Sequence, residues 1–250
     1  MAPEDQPSAL LELEDVQKSF GSVVVADRFS LRVGHDEMLG IVGPNGAGKT
    51  SVLNLITGNL WPDGGRIFLD GTDITRLPPH SRARLGVGRT YQVPRPFGGM
   101  TVFENVLLAA TYGGRARADG RNAAELSVEA LGTTGLLERA NVVAGALPLL
   151  DRKRLELARA IAIRPRLLLL DEIAGGLIEG EVEVLVSTLR ELRSAGIAII
   201  WIEHIVAALL SIVDRLIAMD DGRILAEGEP AAVIADPAVH AVYLGQEVIP

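Results

Sequence analysis

Along this 250-residue chain the apolar positions change period, and the changes predict its elements. Leu10–Phe20 alternates in part, as a half-exposed strand does. Val23–Val25 and Phe29–Val33 read as two further short strands, and Gly34-His35-Asp36 as a turn. Met38–Val42 is a short apolar run that enters a glycine-rich turn, after which Lys49–Thr57 takes helical spacing. Arg66–Leu69 with Asp70-Gly71 predicts strand and turn, Pro79–Leu85 a short helix and Gly86–Tyr91 a strand. From Val93 the character changes. Pro94, Pro96, Gly98 and Gly99 mark a loop, and Thr101-x-x-Glu104 is a capping-box pattern before an apolar run. A glycine- and arginine-rich loop follows over Gly113–Arg121, then helices over Ala123–Leu131 and Arg152–Ile163. Leu167–Leu170 and Ile197–Ile202 are continuous apolar strands, and Glu181–Arg193 between them has leucines at helical spacing. Arg215–Met219 and Arg223–Glu227 flank Asp221-Gly222 as a hairpin. Strands alternating with helices around apolar runs predict an α/β fold on a buried parallel sheet, with a helical insert over residues 93–163.

Composition narrows the chemistry. Residues of apolar type make up 48% and charged residues 22%, so disorder over the bulk of the chain is excluded. Aromatics are only 4%, which makes the core aliphatic. The absence of cysteine excludes disulfides, thiolate metal sites and a thiol nucleophile. A net charge of −8 argues against a general binder of nucleic acid or anionic lipid. The start, Met1–Pro7, is acidic and proline-rich, which predicts a frayed tail and no signal peptide. The greasiest stretch, Ile197–Val213, carries Glu203 and His204 at its centre. A membrane helix needs about 20 residues with few charges, so a strand and a packed helix are expected and the protein is expected to be soluble and cytoplasmic. Lysine occurs only at 18, 49 and 153 among 24 basic residues.

Lys49 closes the motif Gly43-Pro44-Asn45-Gly46-Ala47-Gly48-Lys49-Thr50, the G-x-x-x-x-G-K-[ST] phosphate loop. Random order at this composition gives roughly 0.003 matches along the chain, so chance is set aside. The glycines let successive N–H groups turn toward one anion, and the helix that begins here adds its positive end. Lys49 offers a point charge to the β and γ phosphates, and the Thr50 hydroxyl can ligate Mg²⁺. A second signal, Leu167–Leu170 followed by Asp171-Glu172, puts two carboxylates at the carboxyl edge of the sheet. Asp171 can hold Mg²⁺ through water, and Glu172 can orient and deprotonate an attacking water.

With these motifs in this order the chain resembles the ATP-binding subunits of ABC transporters, from about Leu10 to Gly245. The resemblance implies one cassette: a P-loop NTPase with a RecA-like parallel core, an antiparallel β subdomain and an inserted α-helical subdomain. The core spans 10–92 and 164–250, and the signature subdomain 93–163. It implies that Phe20 stacks on adenine, and that Gly43, Pro44, Asn45, Gly46, Ala47, Gly48, Lys49, Thr50 and Ser51 bind ATP. It further implies that Gln92 senses Mg²⁺ and the membrane subunit, that Thr50, Gln92 and Asp171 serve the metal, and that His204 contacts the γ-phosphate. Glu172, His204, Lys49 and Gln92 form the implied catalytic set. The implied partners are two transmembrane permease subunits, a second ATPase subunit as homodimer or heterodimer and, indirectly, a solute-binding protein. No nucleic acid is implied, and the place is the inner face of the cell membrane.

The chain also departs from the family pattern. Where the signature is usually L-S-G-G-Q, it reads Leu147-Pro148-Leu149-Leu150-Asp151, without the serine hydroxyl or the glycines. Asp151 is expected to cap the following helix, with Arg152, Lys153 and Arg154 offsetting its charge. Ile178 stands at the family's acidic interface position. Two readings follow: a variant signature that still works, and an asymmetric heterodimer in which this chain's signature serves the partner's ATP poorly, the latter being preferred. A soluble P-loop enzyme and a non-hydrolytic ATP-binding module are the remaining alternatives. Leu55-Ile56-Thr57-Gly58, Asp73-Ile74-Thr75, Arg89-Thr90-Tyr91-Gln92 and Ala226-Glu227-Gly228 resemble the branched-chain amino-acid importer branch, which includes importers of other small polar solutes. The apolar, arginine-bearing loop Val93–Phe97 is expected to accept a cytoplasmic helix of the membrane subunit.

Overall fold

A computed structural model describes residues 9–113 and 120–244, with side chains as far as residue 242. The expected tail Met1–Pro7, most of the loop Gly113–Arg121 and the end at Gly245 lie outside the described residues.

The partly alternating segments form one antiparallel sheet. It contains β1 (Leu11–Phe20), β2 (Val23–Val33), β4 (Gly64–Leu69) and β5 (Thr72–Asp73) in the order β2-β1-β4-β5. The two short strands expected after Phe20 are a single strand. Register runs Leu13↔Leu31, Val16↔Phe29, Lys18↔Ala26, so each strand carries an extra residue. Asp15 at φ 45 and Arg28 at φ 49 absorb these bulges, which bend the ladder without ending it. β5 was absent from the sequence reading. The turn Asp70-Gly71, with φ 50 and 71, folds it back onto β4.

The continuous apolar runs form the second sheet. Its strands are β3 (Met38–Val42), β6 (Val87–Arg89), β7 (Leu167–Asp171), β8 (Ala198–Ile202), β9 (Arg215–Asp220) and β10 (Arg223–Gly228), ordered β10-β9-β3-β8-β7-β6. All neighbours are parallel except β10, which returns antiparallel from β9. Every residue of β3, β7 and β8 is buried, because both faces of the sheet are covered. Alternation persists as a division between two cores. Met38, Val42, Leu168, Leu170, Ile199 and Trp201 face one cluster, built with the helices. Leu39, Ile41, Leu167, Leu169, Ile200 and Ile202 face the other, shared with the antiparallel sheet. The apolar run at Ile197–Val213 thus becomes β8 and a short helix, with Glu203 and His204 at the strand's end. Among the described residues no helix is long and apolar enough to cross a membrane.

The helices are α1 (Lys49–Thr57), α2 (Pro79–Arg84), α3 (Val102–Tyr112), α4 (Ala123–Thr133), α5 (Leu149–Ala162), α6 (Glu179–Ser194), α7 (Val206–Leu210), α8 (Pro230–Ile234) and α9 (Pro237–Leu244). Helices α3 to α5 lie between β6 and β7 and pack on one another through Val106, Ala110, Leu131, Leu155 and Ala158. The capping box forms as its pattern predicts: Thr101 Oγ1 accepts from the Glu104 N–H at 3.1 Å, and Thr101 N–H donates to Glu104 at 2.7 Å. Helix α5 begins three residues earlier than its charge pattern suggests, at Leu149, with Pro148 in the cap position.

Arg82 on α2 is fully buried. Its guanidinium donates to the carbonyls of Leu55 at 2.6 Å, Ile56 at 2.9 Å, Thr75 at 2.9 Å and Leu77 at 2.9 Å. It therefore closes the carboxyl end of α1, where helix carbonyls lack internal partners. Burial pulls its pKa down to about 10, a measure of the desolvation these acceptors offset. Arg82→Leu leaves those acceptors without their donor and should cost roughly 2–4 kcal/mol. Thermal unfolding followed by circular dichroism should show Tm lower by about 5–15 °C; an unchanged Tm would remove Arg82 as the anchor of α1.

Candidate functional site

β3 delivers the chain into the loop Gly43–Gly48, and α1 starts at its end. Gly48 has φ 98, and a Cβ there would lie 2.4 Å from the Val25 carbonyl oxygen. A Cβ on Gly43 would lie 2.3 Å from the Met219 carbonyl oxygen. Only glycine fits either place. As N-cap of α1, Gly48 supplies no side-chain acceptor, so the first N–H groups of the helix keep no local side-chain partner. Lys49 is buried and folds back over the loop, donating to the carbonyls of Gly43 at 2.6 Å and Pro44 at 2.9 Å. Burial lowers its pKa, and the neighbouring Glu172 and Asp171 charges oppose that shift.

The strand ends bring the distant candidates together. Asp171 closes β7 and is buried; its Oδ1 lies 3.5 Å from the Thr50 hydroxyl. Its Oδ2 accepts from Arg89 of β6 at 3.1 Å, and Arg89 also donates to Asn54 of α1 at 2.7 Å. Burial raises the Asp171 pKa, with Arg89 only partly offsetting it. Glu172 adopts φ 49, a conformation few non-glycine residues take. Its two carboxylate oxygens have separate partners: Gln92 Nε2 donates to one at 2.5 Å and His204 Nε2 meets the other at 2.7 Å. Residues 92, 172 and 204 thus share one carboxylate. The Thr50 hydroxyl and Asp171 carboxylate are adjacent hard oxygen donors, which suits a small divalent cation. The Gln92 amide is turned to Glu172 rather than to Asp171.

Phe20 is 54% exposed near the tip of the β1–β2 hairpin. Its strand partner Val23 precedes by two residues the Val25 carbonyl that abuts Gly48, so the hairpin tip is continuous with the strand that presses on the loop. Lys18, without a part in the sequence reading, sits 5.4 Å from this ring's centroid and pairs with Asp63 at 2.7 Å. Val93 and Phe97 are exposed on their loop, beside a cleft of about 300 Å³ lined by His80, Arg89, Tyr91, Glu156, Arg159 and Ile163 among others.

Asp151 does not cap α5. Because the helix starts at Leu149, Asp151 falls in its first turn, buried, and pairs with Arg139 at 2.6 Å and with Arg154 at 3.5 Å. Arg152 instead donates to the Leu147 and Gly145 carbonyls, at 2.8 and 2.9 Å, and Lys153 donates to the Ile173 and Gly175 carbonyls. Sequence reasoning missed Arg89 and Asn54 as supports of Asp171, and Glu203 as a buried carboxylate behind His204. Their partners are remote in sequence or are backbone groups, so no local motif announces them.

The family model described as ABC transporter matches residues 26–175, and one described as branched-chain amino acid ATP-binding cassette transporter matches residues 223–249. The chain is 38% identical to the high-affinity branched-chain amino acid transport ATP-binding protein BraF of Pseudomonas aeruginosa, over 95% of this chain and 98% of that protein. It is 36% identical to the lipopolysaccharide export system ATP-binding protein LptB of Acidithiobacillus ferridurans, over 96% and 98%. A solved structure, the ADP conformation of the ATP-binding cassette MJ1267 of an ABC transporter, superposes with a TM-score of 0.85 at 31% identity, over 95% of this chain and 99% of that one.

Gly48→Ala tests the loop directly. It forces a Cβ onto a carbonyl oxygen at a left-handed φ, a strain of about 1–3 kcal/mol before any rearrangement. Nucleotide affinity, titrated with a fluorescent ATP analogue, should fall by roughly tenfold to a hundredfold. Wild-type affinity would show that the close approach to Val25 is not needed.

Proposed function

This chain belongs to the ABC transporter family of ATP-binding cassettes, and from that premise we propose that it is the ATP-hydrolysing subunit of an importer for branched-chain amino acids or related small polar solutes. Cassettes of this family bind nucleotide and couple its hydrolysis to transport. The observation that carries the hydrolytic reading is the Glu172 carboxylate, held between Gln92 and His204 beside the phosphate loop. In this reading the loop amides and Lys49 receive the phosphates, and Phe20 takes the adenine face. Thr50 and Asp171 would hold Mg²⁺, with Gln92 at the edge of the same cluster. Bound there, the ion neutralises charge on the phosphates. Glu172 orients a water and takes its proton. Each of its oxygens keeps a free lone pair beside its present partner, so the base is fixed in place yet open to water. His204, bonded to that base, is the contact to the γ-phosphate.

The proposed assembly has two such ATPase subunits on two permease subunits, at the inner face of the membrane, with a solute-binding protein acting indirectly. The cleft beside Val93–Phe97 is the proposed seat of a cytoplasmic helix of the permease. Support for the cargo comes from the match over residues 223–249 and from BraF. LptB, nearly as similar, is named for a different cargo, so overall identity alone carries no cargo assignment. The comparisons favour neither an asymmetric half with weak turnover nor a soluble enzyme outside transport.

Glu172→Gln should retain nucleotide binding while turnover falls by about 10²–10⁴, the usual worth of a positioned acid–base group. Unchanged turnover would remove Glu172 as the base. For the cargo, the cassette co-purified with its permease subunits should show ATPase stimulated by leucine, isoleucine or valine together with the binding protein. Stimulation by an unrelated solute, with none by these, would overturn the cargo assignment.

A further inference from the structure

Two charged groups close to the site take no part in the hydrolytic chemistry. Lys153, half-buried on α5, donates from Nζ to the carbonyl of Ile173 at 3.3 Å and to that of Gly175. Glu203, 2% exposed at the end of β8, accepts the Ala174 N–H at 3.1 Å through one oxygen and the His204 N–H at 3.3 Å through the other. Three consecutive residues directly after Glu172 are therefore held from two sides, carbonyls by a cation and the amide between them by an anion. Such charge-assisted bonds are stronger than neutral ones. Glu172 itself has a φ of 49, and a strained residue keeps its place only where its surroundings over-determine it. Burial raises the Glu203 pKa and lowers that of Lys153, so the arrangement carries a desolvation cost. Apolar replacements of buried charges are often no less stable, which makes stability a poor reason for either group to be charged.

We propose that Lys153 and Glu203 are positioning residues that clamp the loop Ile173–Gly175 and thereby make the placement of the Glu172 carboxylate depend on how α5 is seated. The ammonium group thus adds a charged link between the helical insert and the loop after the hydrolytic carboxylate, beside the apolar packing of Ile173 and Ala174 in the cluster shared with α5. The proposal rests on the reading of Glu172 as the base.

The test uses the full chain and its complex with permease subunits. Lys153→Met keeps the straight stem and removes the donor; Lys153→Arg keeps the donor. In Lys153→Met, hydrogen exchange of the amides of residues 173–177 should quicken by about tenfold, the worth of one charge-assisted bond. The kcat of the complex should fall by a similar factor with KM for ATP unchanged, and Lys153→Arg should restore both. Wild-type exchange and kcat in Lys153→Met would overturn the proposal, as would a fall in kcat matched by an equal rise in KM. Should Lys153→Met not fold, Glu203→Leu must loosen Ala174 in the same way, and undiminished protection there counts against the clamp. A wild-type chain that binds ATP without hydrolysing it would remove the reading of Glu172, while the exchange comparison would still decide the clamp.

Discussion

The phosphate loop runs through a gap closed by two backbone carbonyls, and the rest of the molecule is arranged around that constraint. Val25 of the antiparallel sheet presses on Gly48, and Met219 of the parallel sheet presses on Gly43. The turn after β9 joins them: the Gly222 N–H donates to the Ala47 carbonyl at 3.0 Å, and the Gly222 carbonyl accepts from Asp27 at 3.0 Å. Arg223 then reaches across to Asp27 at 2.8 Å. Both sheets must therefore meet at one point for the loop to take its path. The two apolar clusters, one on each face of the parallel sheet, fix that meeting point, and Ala47 of the loop is itself part of the cluster shared with the antiparallel sheet.

The same sheet geometry concentrates charge. In parallel α/β sheets the carboxyl ends of the strands converge on the ligand side. Here β7 contributes Asp171 and Glu172, β8 leads into Glu203 and His204, and β6 carries Arg89 and leads into Gln92. Three carboxylates, at 171, 172 and 203, are matched by three cations, at 49, 89 and 153. Arg89 contacts Asp171 directly, and Lys153 faces the charges of Glu203 and Glu172. Burial works against both signs at once, raising Asp171 and Glu203 and lowering Lys49 and Lys153. Glu172 shares its two oxygens between the Gln92 amide and the His204 imidazole.

What could be read from sequence follows the range over which each interaction acts. The loop and the apolar strands are local patterns, and Gly43–Thr50 and Leu167–Glu172 were visible as such. The capping box at Thr101 and Glu104 is a four-residue signal and formed as written. The single strand β2 was not legible, because Asp27 and Arg28 interrupt its apolar pattern and only the bulges keep the ladder whole. β5 has two polar residues and exists because the Asp70-Gly71 turn returns it to β4. The start of α5 was missed because Pro148 caps it by its backbone angles alone. Arg89 and Asp171 are 82 positions apart, and the acceptors of Lys153 are carbonyls, which have no signature in any sequence.

The unusual signature looks different once its geometry is known. In sequence, Pro148 removes a hydroxyl and Asp151 adds a negative charge near the helix start. In the fold, the charge is buried and paired with Arg139, and Arg152 ties the preceding segment to the helix through the Gly145 and Leu147 carbonyls. Pro148 contributes no side-chain cap at the amide end of α5. The serine hydroxyl and the N–H of residue 148 are both missing, while Leu149, where the family pattern has glycine, and Ile178, where it is acidic, are 56% and 71% exposed and make the neighbouring surface apolar. The departures from the family pattern at Leu149 and Ile178 therefore change the surface around the start of α5, and Pro148 changes the start itself.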